Sequence, residues 1–254
     1  MSFRICDPKC CYEKEYLKTA FDFKGNALTC LWQTVVSLSS SSYSSIGLGV
    51  QSVLWSDSAV YRKMGEEEGN LAMYRLTQYA LRLLENAEIN TPYDVIDDLF
   101  SELYSYAKKL TDSPELRKTF VLNALVPIDL ALWQLWCKET KNCSFDSISP
   151  FDSQRQEKLL NVPLITYNTP LGSVRALAEG GASLLKIKIG SDPDGKNDPA
   201  KMLDWDKNRI REIHNGVKDI VIPHTENGRV LYYLDANGRY DTKDRLYSLI
   251  DFAD

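Results

Sequence analysis

The stretch SLLKIKIG, Ser183 to Gly190, sets Lys186 and Lys188 one residue apart in an otherwise apolar run. A short run of Leu and Ile bounded by glycines reads as a buried strand. Side chains alternate along a strand, so the two lysines share one face while Leu185, Ile187 and Ile189 share the other. Further along, YYLDANGRY puts Asp235 where a strand becomes a loop, the position that supplies catalytic groups on a parallel barrel. Parallel neighbours lie about 4.8 Å apart, so two ammonium groups on one strand and a carboxylate ending the next converge on one small volume. Each feature alone has a plain explanation. The lysines could line the wet face of an edge strand, and Asp235 could cap the turn before GRYDT.

Other chemical signatures are missing from the sequence. There is no G-x-x-x-x-G-K-[ST], G-x-S-x-G or H-E-x-x-H, and Gly47-x-Gly49 is not a dinucleotide fingerprint. His214 and His224 are the only histidines, which leaves a Ser-His-Asp mechanism little to draw on. Cys6, Cys10 and Cys11 lack the paired C-x-x-C spacing of a metal site. SDPDGKND (191–198) has acids wrongly spaced for a calcium loop and reads as a surface loop.

The elements that would carry the lysines and the aspartate begin after a polar connector, KNCSFDSISPFDSQRQEKLLN. VPLITYN (162–168) reads as a strand, and GSVRALAEGG as a short helix capped by Ser173 and stopped by Gly180-Gly181. LLKIKIG is the next strand, followed by a helix from Asp198-Pro199 to about His214 with Met202, Trp205, Arg209, Ile210 and Ile213 on its buried side. IVI and RVLYYLDANG follow as strands, joined through PHTENG, whose Asn227-Gly228 is a hairpin-turn signal. TKDRLYSLIDFAD begins another helix. Alternating strands and helices imply a parallel sheet or barrel.

The first half has a different grammar. LTCLWQTVVSL (28–38) and IGLGVQSVLW (46–55) read as strands joined by a polar serine loop. Three helices follow: 69–87, one opening at Thr91 with Pro92 in its first position, and one from Ser113-Pro114-Glu115 towards Lys138, kinked at Pro127. Strands then helices describe an α+β domain over 1–150, with the parallel units in 151–254.

The 254 residues are 44% hydrophobic and 26% charged, with a net charge of −5. That composition suits a globular core and lacks the basic face of a nucleic-acid partner. The longest apolar stretches look well short of the roughly 20 residues that span a bilayer, so no membrane partner is expected. The charged N-terminus does not read as a signal peptide. Six cysteines are taken as reduced thiols of a cytoplasmic protein.

LKIKIG followed by LDANG resembles the enolase superfamily, specifically its muconate-lactonizing and mandelate-racemase-like branches. The resemblance extends over most of the chain, with VLNALVPIDLALWQLWCKETK in the place of the family's long cap helix. It implies an α+β capping domain followed by the first three βα units of a (β/α)8 TIM-type barrel. It implies Mg²⁺-dependent abstraction of the proton α to a carboxylate through an enediolate, by a racemase or epimerase, a cycloisomerase or a dehydratase. Carried over by motif, Lys188 matches the general acid/base, Lys186 its companion at the carboxylate, and Asp235 the first of three metal ligands. A neighbouring ammonium and a nearby cation should lower the pKa of Lys188 and suit it to act as a base. Tyr167, Asn168 and Asn237 are candidate contacts of a small carboxylate substrate. The family's pocket is shaped by cap loops, here Phe21–Asn26 and Gln51–Asp57. Exchanging 51–57 is therefore expected to change substrate preference more than proton transfer.

The sequence departs from the family pattern in three places. The interval from Lys188 to Asp235 is longer than usual, the extra length falling in SDPDGKND and PHTENGR. GLGVQSVLW stands where many relatives carry an acidic residue. A barrel of this kind has eight strands over roughly 250 residues, whereas residues 162–254 hold three. The chain is thus expected to be the N-terminal portion of a larger enzyme, inactive alone and without tight Mg²⁺ binding. The alternative is a non-catalytic truncated or degenerate relative used for binding or assembly. A homo-oligomer is left open, and a doubly wound sheet is disfavoured by the missing phosphate-binding glycine turn.

Overall fold

A computed structural model of the protein describes the backbone of residues 2–23, 26–142, 144, 158–196 and 198–254, and the side chains of these residues apart from 19–23, 26 and 27. The chain divides into two compact units, Met1–Ser153 and Gln154–Asp254. Most of the polar connector lies outside the described residues.

The first unit holds a three-stranded antiparallel sheet of β2 (Cys6–Phe23), β3 (Asn26–Ser39) and β4 (Ser44–Gln51), in that order. A two-stranded ribbon pairs β1 (Phe3–Arg4) with β5 (Glu88–Ile89). The expected hairpin of the first half is β3–β4. Its second strand ends at Gln51 because Ser52 caps a helical turn, α1 (Val53–Ser56), accepting from the Trp55 N–H. The long strand β2 went unread in the sequence. Its charged residues and Pro8 are tolerated because it is an edge strand, and the ladder shifts register between Cys6 and Lys9, where Asp7 has φ +47°.

Three longer helices follow, two of them packed on this sheet and the other on those two. Helix α2 (Ser58–Leu84) starts well before the expected residue 69 and is interrupted at Gly65, φ +80°. Helix α3 (Pro92–Thr111) is capped as expected by the Thr91 side chain, which accepts from the Tyr93 N–H. Helix α4 (Lys118–Thr140) begins later than Ser113, whose carbonyl closes a turn with the Leu116 N–H (3.2 Å), and it runs as one helix through Pro127. By length and composition α4 could cross a membrane, contrary to the expectation that no stretch comes close. Here it is the central helix of the first unit, with Phe120, Val121, Ala124, Leu125, Ile128, Ala131, Leu132 and Leu135 buried.

Helix α4 packs directly on β4 because that strand presents glycines to it. A Cβ on Gly47 would lie 1.8 Å from the Pro127 carbonyl oxygen and 2.6 Å from the Ala131 nitrogen. One on Gly49 would meet the Pro127 ring at 2.5 Å. The glycine spacing serves this close approach.

The second unit is a parallel sheet of β6 (Leu164–Ile165), β7 (Leu184–Lys188) and β8 (Leu231–Asp235), in sequence order. Each strand is followed by a helix: α5 (Leu171–Glu179), α6 (Pro199–Val217) and α7 (Lys243–Ala253). Asp198 caps α6, accepting from the Ala200 and Lys201 N–H groups, and Thr242 caps α7. Two expectations fail here. Helix α5 starts before Ser173, which donates its N–H to the Pro170 carbonyl and is not the cap. Residues 220–222 form no strand. The Ile222 N–H reaches the Gly228 carbonyl at 2.9 Å, so the Asn227-Gly228 turn closes a loop and no hairpin ladder.

Candidate active site

Strand alternation divides the two faces of the parallel sheet as the sequence implied. Leu185, Ile187 and Ile189 are buried with Ile165, Ile210, Ile213 and Val217, on the face the helices cover. Lys186 and Lys188 are on the other face. Register places Leu164 beside Lys186 on one side and Tyr233 beside it on the other, and pairs Lys188 with Asp235. Leu164, Leu231 and Tyr233 on this face are all exposed.

On that face the lysines and the aspartate meet. The Lys186 Nζ is 2.9 Å from Asp235 Oδ2 and 5.2 Å from the centre of the Tyr233 ring. The carboxylate and this hydrogen bond raise the Lys186 pKa above the ordinary lysine value. Burial alone would raise the Asp235 carboxyl. The hydrogen bond from Lys186, the Asn237 N–H and the charges of Lys186 and Lys188 outweigh it and hold Asp235 below the usual carboxylate value. Each partner thus favours the charged form of the other.

Lys188 is only 6% exposed, uncommon for a lysine. Its Nζ lies 6.0 Å from the centre of the Tyr167 ring. Tyr167 sits in the turn after β6, which is much shorter than the strand expected over 162–168. The Tyr167 hydroxyl donates to the Ile189 carbonyl (3.2 Å), and its ring meets Trp205 edge-on at 5.7 Å. The structure therefore brings Lys186, Lys188, Asp235 and Tyr167 together. Asn168, in the same turn, is exposed. Asn237 has φ +49° and donates its N–H to Asp235 Oδ1 at 3.2 Å, shaping the turn that holds the carboxylate.

Two ammonium groups against one carboxylate leave a site suited to an anion, with a buried amine positioned for proton exchange. A divalent metal fits these residues poorly. Among the described residues no group of three His, Cys, Asp or Glu side chains comes together. The one carboxylate is already bonded to Lys186, far from the octahedral oxygen set that Mg²⁺ takes.

Of the two cap loops, the side chains of Phe21–Asn26 lie outside the described residues. Segment 51–57 is no freely exchangeable loop, because all of it but Trp55 is buried. Gln51 Nε2 donates to Thr77 Oγ1 (2.8 Å), Val53 N to Asn70 Oδ1 (2.8 Å), and Ser52 N and Ser56 Oγ to Asn123 Oδ1 (3.1 and 2.9 Å). Asp57 Oδ1 caps α2 while Oδ2 accepts from Arg117 N at 2.9 Å. Exchanging the segment would break this core, so only Trp55, 41% exposed, is open to variation.

Sequence reasoning missed Asp206 and Arg239. Asp206 is fully buried and accepts from the N–H groups of Gly190 and Ser191. Arg239 donates to the Gly190 carbonyl at 3.2 Å. A carboxylate one turn before the expected buried Arg209 was the available signal.

No protein-family profile matches the chain, and no curated protein does. Solved structures do. A dipeptide epimerase from Enterococcus faecalis V583, complexed with Mg and the dipeptide L-Leu-L-Tyr, superposes with a TM-score of 0.61 at 15% identity, over 98% of this chain and 59% of its own. An enolase from Bradyrhizobium, complexed with magnesium and mandelic acid, gives 0.61 at 12%, over 99% and 59%. A mandelate racemase/muconate lactonizing protein from Herpetosiphon aurantiacus gives 0.58 at 14%, over 98% and 57%. The chain thus spans less than two thirds of the length of these structures. Over that span it shares the fold of these structures: an α+β unit followed by parallel βα units.

Proposed function

We propose that this chain carries the lysine acid–base machinery of an enzyme that abstracts the proton α to a substrate carboxylate. The observation that carries the reading is Lys188, buried on the open face of a parallel sheet and paired in register with Asp235, which Lys186 already binds. Lys188 acts as the base in its neutral form. That amine takes the α-proton, and the C–H electron pair becomes the C=C bond of an enediolate. The added negative charge falls on the substrate oxygens, where the Lys186 ammonium stabilises it. Delivery of a proton to the opposite face of that carbon, by an acid other than Lys188, completes a racemisation or epimerisation. Cycloisomerisation and elimination share the same first step. The dipeptide and mandelic acid bound by the structural neighbours support a small carboxylate substrate and the racemase or epimerase form. Mg²⁺, present with those ligands, is proposed only where further oxygen ligands join Asp235.

The test is exchange of the substrate α-proton with D₂O, using mandelate and L-Leu-L-Tyr as probes, in the protein that carries this chain. Lys188→Ala is expected to slow exchange by about 10²–10⁴-fold with the fold retained. Undiminished exchange would remove Lys188 from the mechanism. Ligand binding without exchange in the unsubstituted protein would favour a non-catalytic binding role.

A further inference from the structure

Helix α6 reaches the ends of all three parallel strands through two buried charges one turn apart. Asp206 is fully buried and Arg209 is 9% exposed. Asp206 Oδ2 accepts from the Gly190 N–H at 2.7 Å and Oδ1 from the Ser191 N–H at 3.4 Å, just past the end of β7. The same Oδ2 accepts from the Tyr240 hydroxyl at 2.8 Å, past the end of β8. Gly190 has φ +87°, and a Cβ there would lie 2.6 Å from the Arg239 Cβ, so the two exit loops are interlocked. Arg209 Nη2 donates to the carbonyls of Thr166 and Thr169, bracketing the turn that holds Tyr167 after β6. Arg209 was expected on the buried side of this helix; Asp206 would otherwise pass for a surface acid.

We propose that Asp206 and Arg209 are positioning residues: Asp206 ties together the strand exits that hold Lys188 and Asp235, and Arg209 separately fixes the turn that sets Tyr167 against Lys188. The catalytic meaning of this clamp rests on the proton-abstraction reading, but the clamp itself does not. Buried charges bound to backbone groups are costly to disturb and hold one geometry. Here they hold the loops that follow the three strands bearing the site.

Residue-resolved amide hydrogen exchange on the intact chain tests the assignment. Asp206→Ala should speed exchange at Gly190 and Ser191, and at Arg239 in the loop after β8, by about tenfold or more, as for loss of a hydrogen bond to a charged group. Thr169, whose N–H bonds the Thr166 carbonyl, should keep its protection in that variant. Arg209→Met should give the reverse pattern, with Thr169 faster and Gly190 and Ser191 unchanged. Asp206→Asn, keeping an acceptor for Gly190, should restore protection there. Tyr240→Phe should release only the loop after β8. Faster exchange at all three exits in both charge variants would mean general destabilisation and overturn the proposal, as would no change in either. Where the unsubstituted protein exchanges substrate protons, Asp206→Ala should lower kcat with little change in KM, and Asp206→Asn should recover most of the loss. A protein that exchanges none counts against the proposed function, while the amide pattern still decides the clamp.

Discussion

Both units bury polar side chains, but of different kinds. In the first unit they are mainly amides and hydroxyls turned onto backbone: Asn70 receives the Val53 N–H, Ser45 donates to the Ala131 carbonyl, and Thr77 donates to the Ala124 carbonyl. Asp57 is the buried exception, and it too is spent on helix N-termini. In the second unit, besides Ser183 and Ser191, they are ionisable: Lys188, Asp206 and Arg209. Neutral groups paired with backbone fix packing at modest cost, whereas buried charge is expensive and is kept where chemistry or position requires it. The first unit spends its buried polarity on packing, the second gathers it around the candidate site.

The sharpest way to break this contrast is to attack the shape. Gly47→Ala forces a Cβ onto the Pro127 carbonyl. It is expected to cost the first unit about 3 kcal/mol, the upper range for overpacking, in a denaturant titration followed by tryptophan fluorescence. A loss below about 1 kcal/mol would mean that α4 is not seated on β4.

A paired substitution sharpens the contrast at intermediate size. Asn70→Leu leaves the buried Val53 N–H without its acceptor and should destabilise by about 2 kcal/mol. Lys188→Met replaces a buried ionisable group by an apolar one of similar volume, and should leave stability unchanged or raise it by about 1 kcal/mol. Equal losses from both would erase the distinction between the units.

The smallest effect is a slope in pH. Burial raises the Asp206 carboxyl pKa above its model-peptide value of 3.8, against the hydrogen bonds from Gly190 and Tyr240. In the window from that value up to the raised folded pKa, the folded chain holds more protons than the unfolded one, so stability falls as pH rises. Asp206→Asn should flatten this fall. A slope unchanged in the variant would assign it to another group.

The site was legible because its motifs are local. Alternation in LKIKIG put both lysines on one face, and the strand-to-loop step in LDANG placed Asp235. The caps at Thr91 and Asp198 were equally plain, since side chain and helix start are adjacent in sequence. What stayed hidden depended on distant partners. Asp206 looks like any surface acid in DWDKNRIRE until Gly190 and Tyr240 are brought to it. Strand β2 looks too charged for a sheet until it is seen at an edge. IVI has strand composition but lacks a neighbour to pair with. Segment 51–57 resembled a variable loop because nothing in its own residues announces Asn70 and Asn123.

The bare strip on β4 has a consequence for how the sheet is assembled. Gly47 and Gly49 pair with Val36 and Thr34 of β3. A slip of one residue turns every side chain to the opposite face, so Ile46 and Leu48 would then point at Pro127, where even a methyl group has no room. A hairpin formed early in the wrong alignment could keep its ladder, but it could not accept the helix made about eighty residues later (Ser45 Oγ meets the Ala131 carbonyl, 86 positions on, at 2.8 Å). Docking of α4 therefore acts as an inspection step, passing only the correctly aligned hairpin and sending the others back to re-pair.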